Sequence, residues 1–195
     1  MTSGTSVVTP ERFATGIEGF QKWMETIPER HSEFQRHYDE YTPEEADLEA
    51  VRGYVTNNGV KALVLGEHWC PDVWRGVPVM ARIAEGTGME VRYFLRDENK
   101  DIMAEFLNQG EFESIPTVVF YDGNHNYLGH WIERPALANE EMVPLRKILQ
   151  DAPQEDGPER QEAQARYREA TWGAAPNWRH ASLKEMREVI EGALK

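Results

Sequence analysis

The chain has 195 residues, with 21 Lys or Arg against 34 Asp or Glu, for a formal charge of −13. A polyanion with no local basic cluster does not track a phosphate backbone or an anionic bilayer, so nucleic acid and membrane surfaces are poor candidate partners. Apolar runs such as Ala62-Leu63-Val64-Leu65 fall far short of the ~20 residues of a bilayer span. Cys70 is the single cysteine, which rules out an internal disulfide and a multi-cysteine zinc site. The opening MTSGTSVVTPERF has neither the basic nor the apolar segment of a secretory signal, so a cytoplasmic location is expected.

Residues 1–10 are small and polar and are expected to fray. Phe13, Ile17, Phe20, Met24 and Ile27 then fall at steps of three and four, the signature of one helical face, until Pro28 interrupts. Phe34, Tyr38 and Tyr41 form a second such face. Thr42-Pro43-Glu44-Glu45 reads as a capping box that opens a helix bearing Leu48, Val51 and Val55, closed by Asn57-Asn58-Gly59. The period changes at Val60: Val60 to Gly66 reads as a buried strand, and Cys70 to Glu85 as a helix containing Pro78. Met89 to Leu95 is a second strand, and Asp97-Glu98-Asn99 offers caps for a helix through Leu107. Thr117 to Tyr121, the turn Asp122-Gly123-Asn124 and Tyr127 to Glu133 form a hairpin. Pro135 leads into a helix ending near Gln150, with Pro144 inside it. After a linker at 152–158, Glu159 to Trp172 reads as helix, Gly173 to Asn177 as loop, and Ser182-Leu183-Lys184-Glu185 as a capping box for a final helix.

The central order is therefore strand–helix–strand–helix–hairpin–helix, and its first crossover helix begins at Trp69-Cys70-Pro71-Asp72. Pro78 lies eight residues after Cys70, Ile115-Pro116-Thr117 precedes the hairpin, and Gly129 lies in its returning strand. In these features the chain resembles the thioredoxin superfamily, and within it a bacterial group with a WC-(Gly/Pro)-Asp motif. The resemblance covers about residues 60–150. It implies an α/β thioredoxin fold, a four-stranded mixed sheet sandwiched by helices, with helical extensions at both ends. The implied organisation is a flexible N-terminus at 1–10, a helical extension at 11–59, a thioredoxin-like domain at 60–152, and C-terminal helices at 158–195 packing on that domain. One departure is large. The family's second cysteine falls three residues after the first, and here that position is Val73. The family's buried carboxylate position, six residues before Cys70, is Val64.

A cysteine at a helix N-terminus meets unpaired backbone N–H groups and the positive end of the macrodipole, and both favour the thiolate. An unperturbed thiol with a pKa of about 8.5 is only about 3% ionised at pH 7. Asp72, in the first helical turn, opposes ionisation, while Arg75 and His68 favour it, and composition leaves the sign of the sum open. Without a second thiol, Cys70 has three routes: a mixed disulfide resolved by glutathione or another small thiol, oxidation to a sulfenic acid, or a long-lived adduct with a partner protein.

The resemblance implies that Ile115, Pro116 and Thr117 dock an extended substrate by backbone pairing, with Pro116 cis, and that Trp69, Pro71 and Asp72 frame the thiol. The expected partner is a protein or small-thiol disulfide, with no resident cofactor. Two functions stay open: monothiol thiol–disulfide exchange at Cys70, and a redox-silent binding module that uses the Ile115-Pro116 groove. His68-x-Cys70, with His125 and His130 on the hairpin, is too sparse for a closed zinc site. Trp131, Trp172 and Trp178 read as packing residues where C-terminal helices dock.

Overall fold

A computed structural model describes residues 6–195. A mixed sheet runs in the order β1-β3-β2-β4-β5. Its strands are β1 (Ile17–Glu18), β2 (Lys61–Gly66), β3 (Glu90–Leu95), β4 (Thr117–Tyr121) and β5 (Tyr127–Ile132). β2 and β3 are parallel, while β4 is antiparallel to β2 and β5 is antiparallel to β4. The two central strands, β2 and β4, are buried on both faces except at Lys61. That is why they read as continuous apolar runs rather than alternating ones.

The helices are α1 (Pro10–Ala14), α2 (Gly19–Thr26), α3 (His31–Asp39), α4 (Glu45–Asn58), α5 (Pro71–Thr87), α6 (Lys100–Met103), α7 (Ala136–Gln150) and α8 (Pro158–Leu194). α5 is the crossover between β2 and β3 and ends at Gly88 in the left-handed C-cap conformation. One continuous apolar core holds the sheet together with residues from both terminal extensions, such as Trp23, Phe34, Leu183, Met186 and Ile190. No helix among the described residues is long and apolar enough to cross a membrane.

The fold is the α/β thioredoxin-like sheet with helical extensions, but the expected four-stranded sheet has a fifth strand. Ile17 pairs with Tyr93 and Glu18 with Arg92, adding β1 at the edge. The single helical face expected over residues 13–27 is instead α1, β1 and α2. Gly16 explains the break: a Cβ there would lie 2.4 Å from the Phe94 ring, so the chain passes flat against β3.

The other departures from the expected elements are local. Residues 1–5 of the expected frayed terminus lie outside the described residues. Residues 6–10 are held in place, with Val8 only 2% exposed and the Ser6 hydroxyl donating to Glu105 Oε2 at 2.7 Å. The Thr42 capping box does not form; Glu44 is the N-cap of α4, with no side-chain bond. A proline disfavours the helical region for the residue before it, and Tyr41 is anchored in the core, so the helix starts late. The helix expected through Leu107 is a 3-10 turn, Arg96–Glu98, followed by α6. Asn99 turns its amide to the Leu95 carbonyl (2.7 Å) instead of capping.

The expected loop at 173–177 is absent, because α8 runs through both Gly173 and Pro176. Thr171, Ala175, Trp178, Arg179 and Ser182 are buried along this stretch, and tertiary packing overrides the weak local propensity. Ser182 is no cap: its hydroxyl donates to the Trp178 carbonyl at 2.8 Å, one turn back.

Candidate functional site

β2 ends at Gly66, and the chain turns through Glu67, His68 and Trp69 to Cys70, the extended N-cap residue of α5. Pro71 occupies the first helical position, where its missing N–H costs nothing. The Val73 and Trp74 N–H groups donate to the Cys70 carbonyl at 3.0 and 3.2 Å. The Trp74 indole N–H donates to the His68 carbonyl and pins the turn. Facing this turn is the Ile115–Pro116 peptide, which is cis. The Cys70 thiol donates weakly to the Ile115 carbonyl, with Sγ 3.6 Å from that oxygen. Gly76 lets the two segments meet: a Cβ there would come within 2.6 Å of Pro116 Cγ.

Burial pushes the Cys70 thiol above its ordinary pKa. The Val73 N–H draws it down, the Asp72 carboxylate raises it, and the Asp72 N–H and the Arg75 guanidinium lower it again. The helix terminus acts in the expected direction, but desolvation of the half-buried sulfur outweighs it. The sum whose sign the sequence leaves open is therefore upward, with burial as its largest cause.

Asp72 is buried at the first turn of α5, where it bridges Arg75 and Arg134; Arg134 Nη2 lies 2.7 Å from Asp72 Oδ2. Arg134 also pairs with Glu133. Val73, at the resolving-cysteine position, is 0% exposed and packs against Gly66. Val64 is buried and apolar, but a carboxyl stands three residues further along at Glu67, 5% exposed. The Asp97 N–H donates to Glu67 Oε1 at 2.7 Å. Burial nevertheless raises the Glu67 carboxyl above its usual range.

The remaining expected site residues divide by exposure. Trp69 is 48% exposed and lies 5.2 Å from the Arg96 guanidinium in a cation–π arrangement. Pro71 is exposed, Ile115 is buried, and Thr117 is fully buried with its hydroxyl donating to the Ser114 carbonyl at 2.8 Å. Thr117 thus turns its side chain to the core. His125 stacks on Tyr121 and bonds the Val8 carbonyl, and His130 bonds Tyr127, so neither joins His68 near the sulfur. Trp131 and Trp178 are buried, and their indole N–H groups donate to Glu185 (2.8 Å) and Glu141 (2.7 Å), tying α7, α8 and β5 together.

Sequence reasoning missed Glu67 and Arg134. The signal for Glu67 was a carboxylate closing an apolar strand directly before Trp-Cys; Arg134 carried no local signal. A buried pair on α3 and α8 was also missed: Arg179 donates to His37 Nδ1 at 2.8 Å.

A crossover helix opening on a half-buried cysteine against a cis-proline loop defines a thioredoxin-fold protein with one cysteine at the site. A family model described as Thioredoxin matches residues 17–153, and the chain belongs to that family. Among solved structures it is similar to a protein of unknown function from Pseudomonas aeruginosa, with a TM-score of 0.66 and 21% identity over 97% of this chain and 99% of that one. It is also similar to an HIV epitope-scaffold, with a TM-score of 0.62 and 21% identity over the same shares of the two chains. Both likenesses concern the fold. No curated protein matches the chain.

Proposed function

We propose that this protein carries out monothiol thiol–disulfide exchange through Cys70, with a protein or small-thiol disulfide docking along Ile115-Pro116. The observation that supports it is the placement of Cys70 Sγ at the N-cap of α5, half-buried and 3.6 Å from the Ile115 carbonyl oxygen. Cys70 loses its proton to solvent, and the thiolate attacks one sulfur of a disulfide R–S–S–R′. The S–S bond breaks, R′–S⁻ leaves and takes up a proton, and Cys70–S–S–R remains. No internal thiol can expel R, because Val73 occupies the resolving position. A thiol of high pKa is also a slow leaving group, so attack by an external thiol at the Cys70 sulfur, releasing R, or at R, releasing Cys70, sets the lifetime of the adduct. On this reading the Trp69-Cys70-Pro71-Asp72 motif places the chain in the bacterial WC-(Gly/Pro)-Asp group, working in the reducing cytoplasm.

Intact-mass analysis after incubation with oxidised glutathione tests the reading. A single mixed-disulfide adduct is expected, lost in Cys70→Ser. No adduct even at alkaline pH overturns exchange chemistry. In Val73→Cys the adduct should disappear faster, because the introduced thiol expels R and closes an internal disulfide with Cys70.

A second reading, a redox-silent module that uses the same groove, is favoured by the upward shift of the Cys70 thiol. It predicts a polypeptide partner that binds Cys70→Ser as tightly as the native protein. A covalent trap predicts loss of that partner on substitution.

A further inference from the structure

A cavity of about 200 Å³ opens beside Pro71 and Asp72, the first turn after Cys70, between α5 and the added helices α3, α7 and α8. Four guanidinium groups line it, from Arg75, Arg134, Arg146 and Arg168, against the single carboxylate of Asp72. In a chain carrying thirteen excess negative charges, this one cavity holds an excess of three positive charges. Asp72 already engages Arg75 and Arg134. Arg146 and Arg168 are exposed and form no ion pair within 4.0 Å among the described residues. Their forks are therefore available to a ligand, and Arg134 Nε is a buried donor without a partner. The Trp74 and Trp172 side chains add apolar wall.

We propose that this cavity binds the carboxylate end of an anionic low-molecular-weight thiol or disulfide and so delivers its sulfur to Cys70. The inference rests on the exchange reading above and names its co-substrate class. A guanidinium presents paired N–H donors that match a carboxylate, so Arg146 and Arg168 select for that group. The volume suits one arm of a peptide-sized ligand and excludes a folded partner. Pro71, the chain neighbour of Cys70, lines the cavity while Cys70 itself does not, so the occupant's sulfur has to reach past Pro71. The missing resolving thiol gives such a ligand a task, since an external thiol must complete each cycle.

The probe is S-methylglutathione, a dicarboxylate that cannot exchange, titrated into Cys70→Ser while tryptophan fluorescence and calorimetry are followed. Saturable binding that weakens with added salt is expected. Arg146→Ala and Arg168→Ala should each weaken it about fivefold, the upper end for a solvent-accessible ion pair. Both substitutions are on exposed helix positions, and circular dichroism checks that each variant is folded. Absence of binding, or binding indifferent to both substitutions, overturns the proposal. Equal affinity for inorganic phosphate overturns the assignment to a carboxylated thiol. A parallel reaction of the native protein with the uncharged hydroxyethyl disulfide separates the two ideas. Adduct formation there without probe binding to Cys70→Ser leaves exchange standing and removes the cavity's role. Probe binding without any adduct upholds the cavity and removes exchange.

Discussion

Asp72 sets the character of the thiol at the scale of single residues. Its carboxylate raises the Cys70 pKa, after burial and the counteracting Val73 N–H, while also neutralising Arg75 and Arg134. Asp72→Asn should therefore lower the thiol pKa and speed alkylation by iodoacetamide at pH 7, read by intact mass against time. The same substitution leaves two partly buried guanidinium groups with a weaker partner, and a loss of about 1–3 kcal/mol of stability is expected by urea denaturation. In the unsubstituted protein the alkylation rate should keep rising with pH beyond the ordinary thiol midpoint. His37 offers an independent titration. Burial, then the charges of Arg179, Arg75 and Arg36, push its pKa down to about 3. The folded state therefore holds His37 neutral and binds fewer protons than the unfolded chain below pH 6.5, so stability falls as pH drops from about 6.5 toward 3. The slope is at most about 1.4 kcal/mol per pH unit. His37→Asn keeps an acceptor for Arg179 and should flatten this dependence between pH 7 and pH 4 in urea midpoints.

Among the elements, α5 and the cis-proline loop owe their contact to Gly76. Gly76→Ala gains roughly 0.5–1 kcal/mol of helix propensity. It also drives a methyl group into Pro116, 2.6 Å away, and overpacking of this kind costs about 1–3 kcal/mol. A net fall in melting temperature and a changed alkylation rate at Cys70 are the expected readouts. Gly129 plays the matching part on β5. Its φ is +156°, and a Cβ there would lie 2.6 Å from Val189 Cγ1, so the glycine admits α8 onto the strand. Within α8, Pro176 interrupts the backbone ladder of a helix that packing alone keeps continuous. Pro176→Ala restores one N–H donor at an exposed position and should raise the melting temperature.

Taken as a whole molecule, the extensions are parts of the core. Trp23 and Phe34 on α2 and α3, and Leu183, Met186 and Ile190 on α8, share one apolar cluster with β2 and β4. Trp178 packs with Ala138 and Met142 between α7 and α8. Deleting residues 158–195 uncovers these faces, and the shortened chain should lose cooperative thermal unfolding and bind a hydrophobic dye. The added helices also bound the arginine-lined cavity, so this truncation removes one wall of it.

Whatever depends on near neighbours and period was legible in the order of residues. The apolar runs of β2 and β4 and the hairpin are local patterns, while the Trp69-Cys70-Pro71 helix start and the Ile115-Pro116 segment were legible through the resemblance to the thioredoxin superfamily. Contacts distant in the chain settled the rest. Gly16 meets Phe94, Arg134 reaches Asp72 across 62 residues, and Arg179 reaches His37 across 142. The continuity of α8 through Pro176 belongs to the same class, because burial of one face outweighs propensity summed along it. The pKa of Cys70 does too: the macrodipole is legible in a helix start, whereas desolvation of the sulfur exists only once Ile115 and α5 have closed around it.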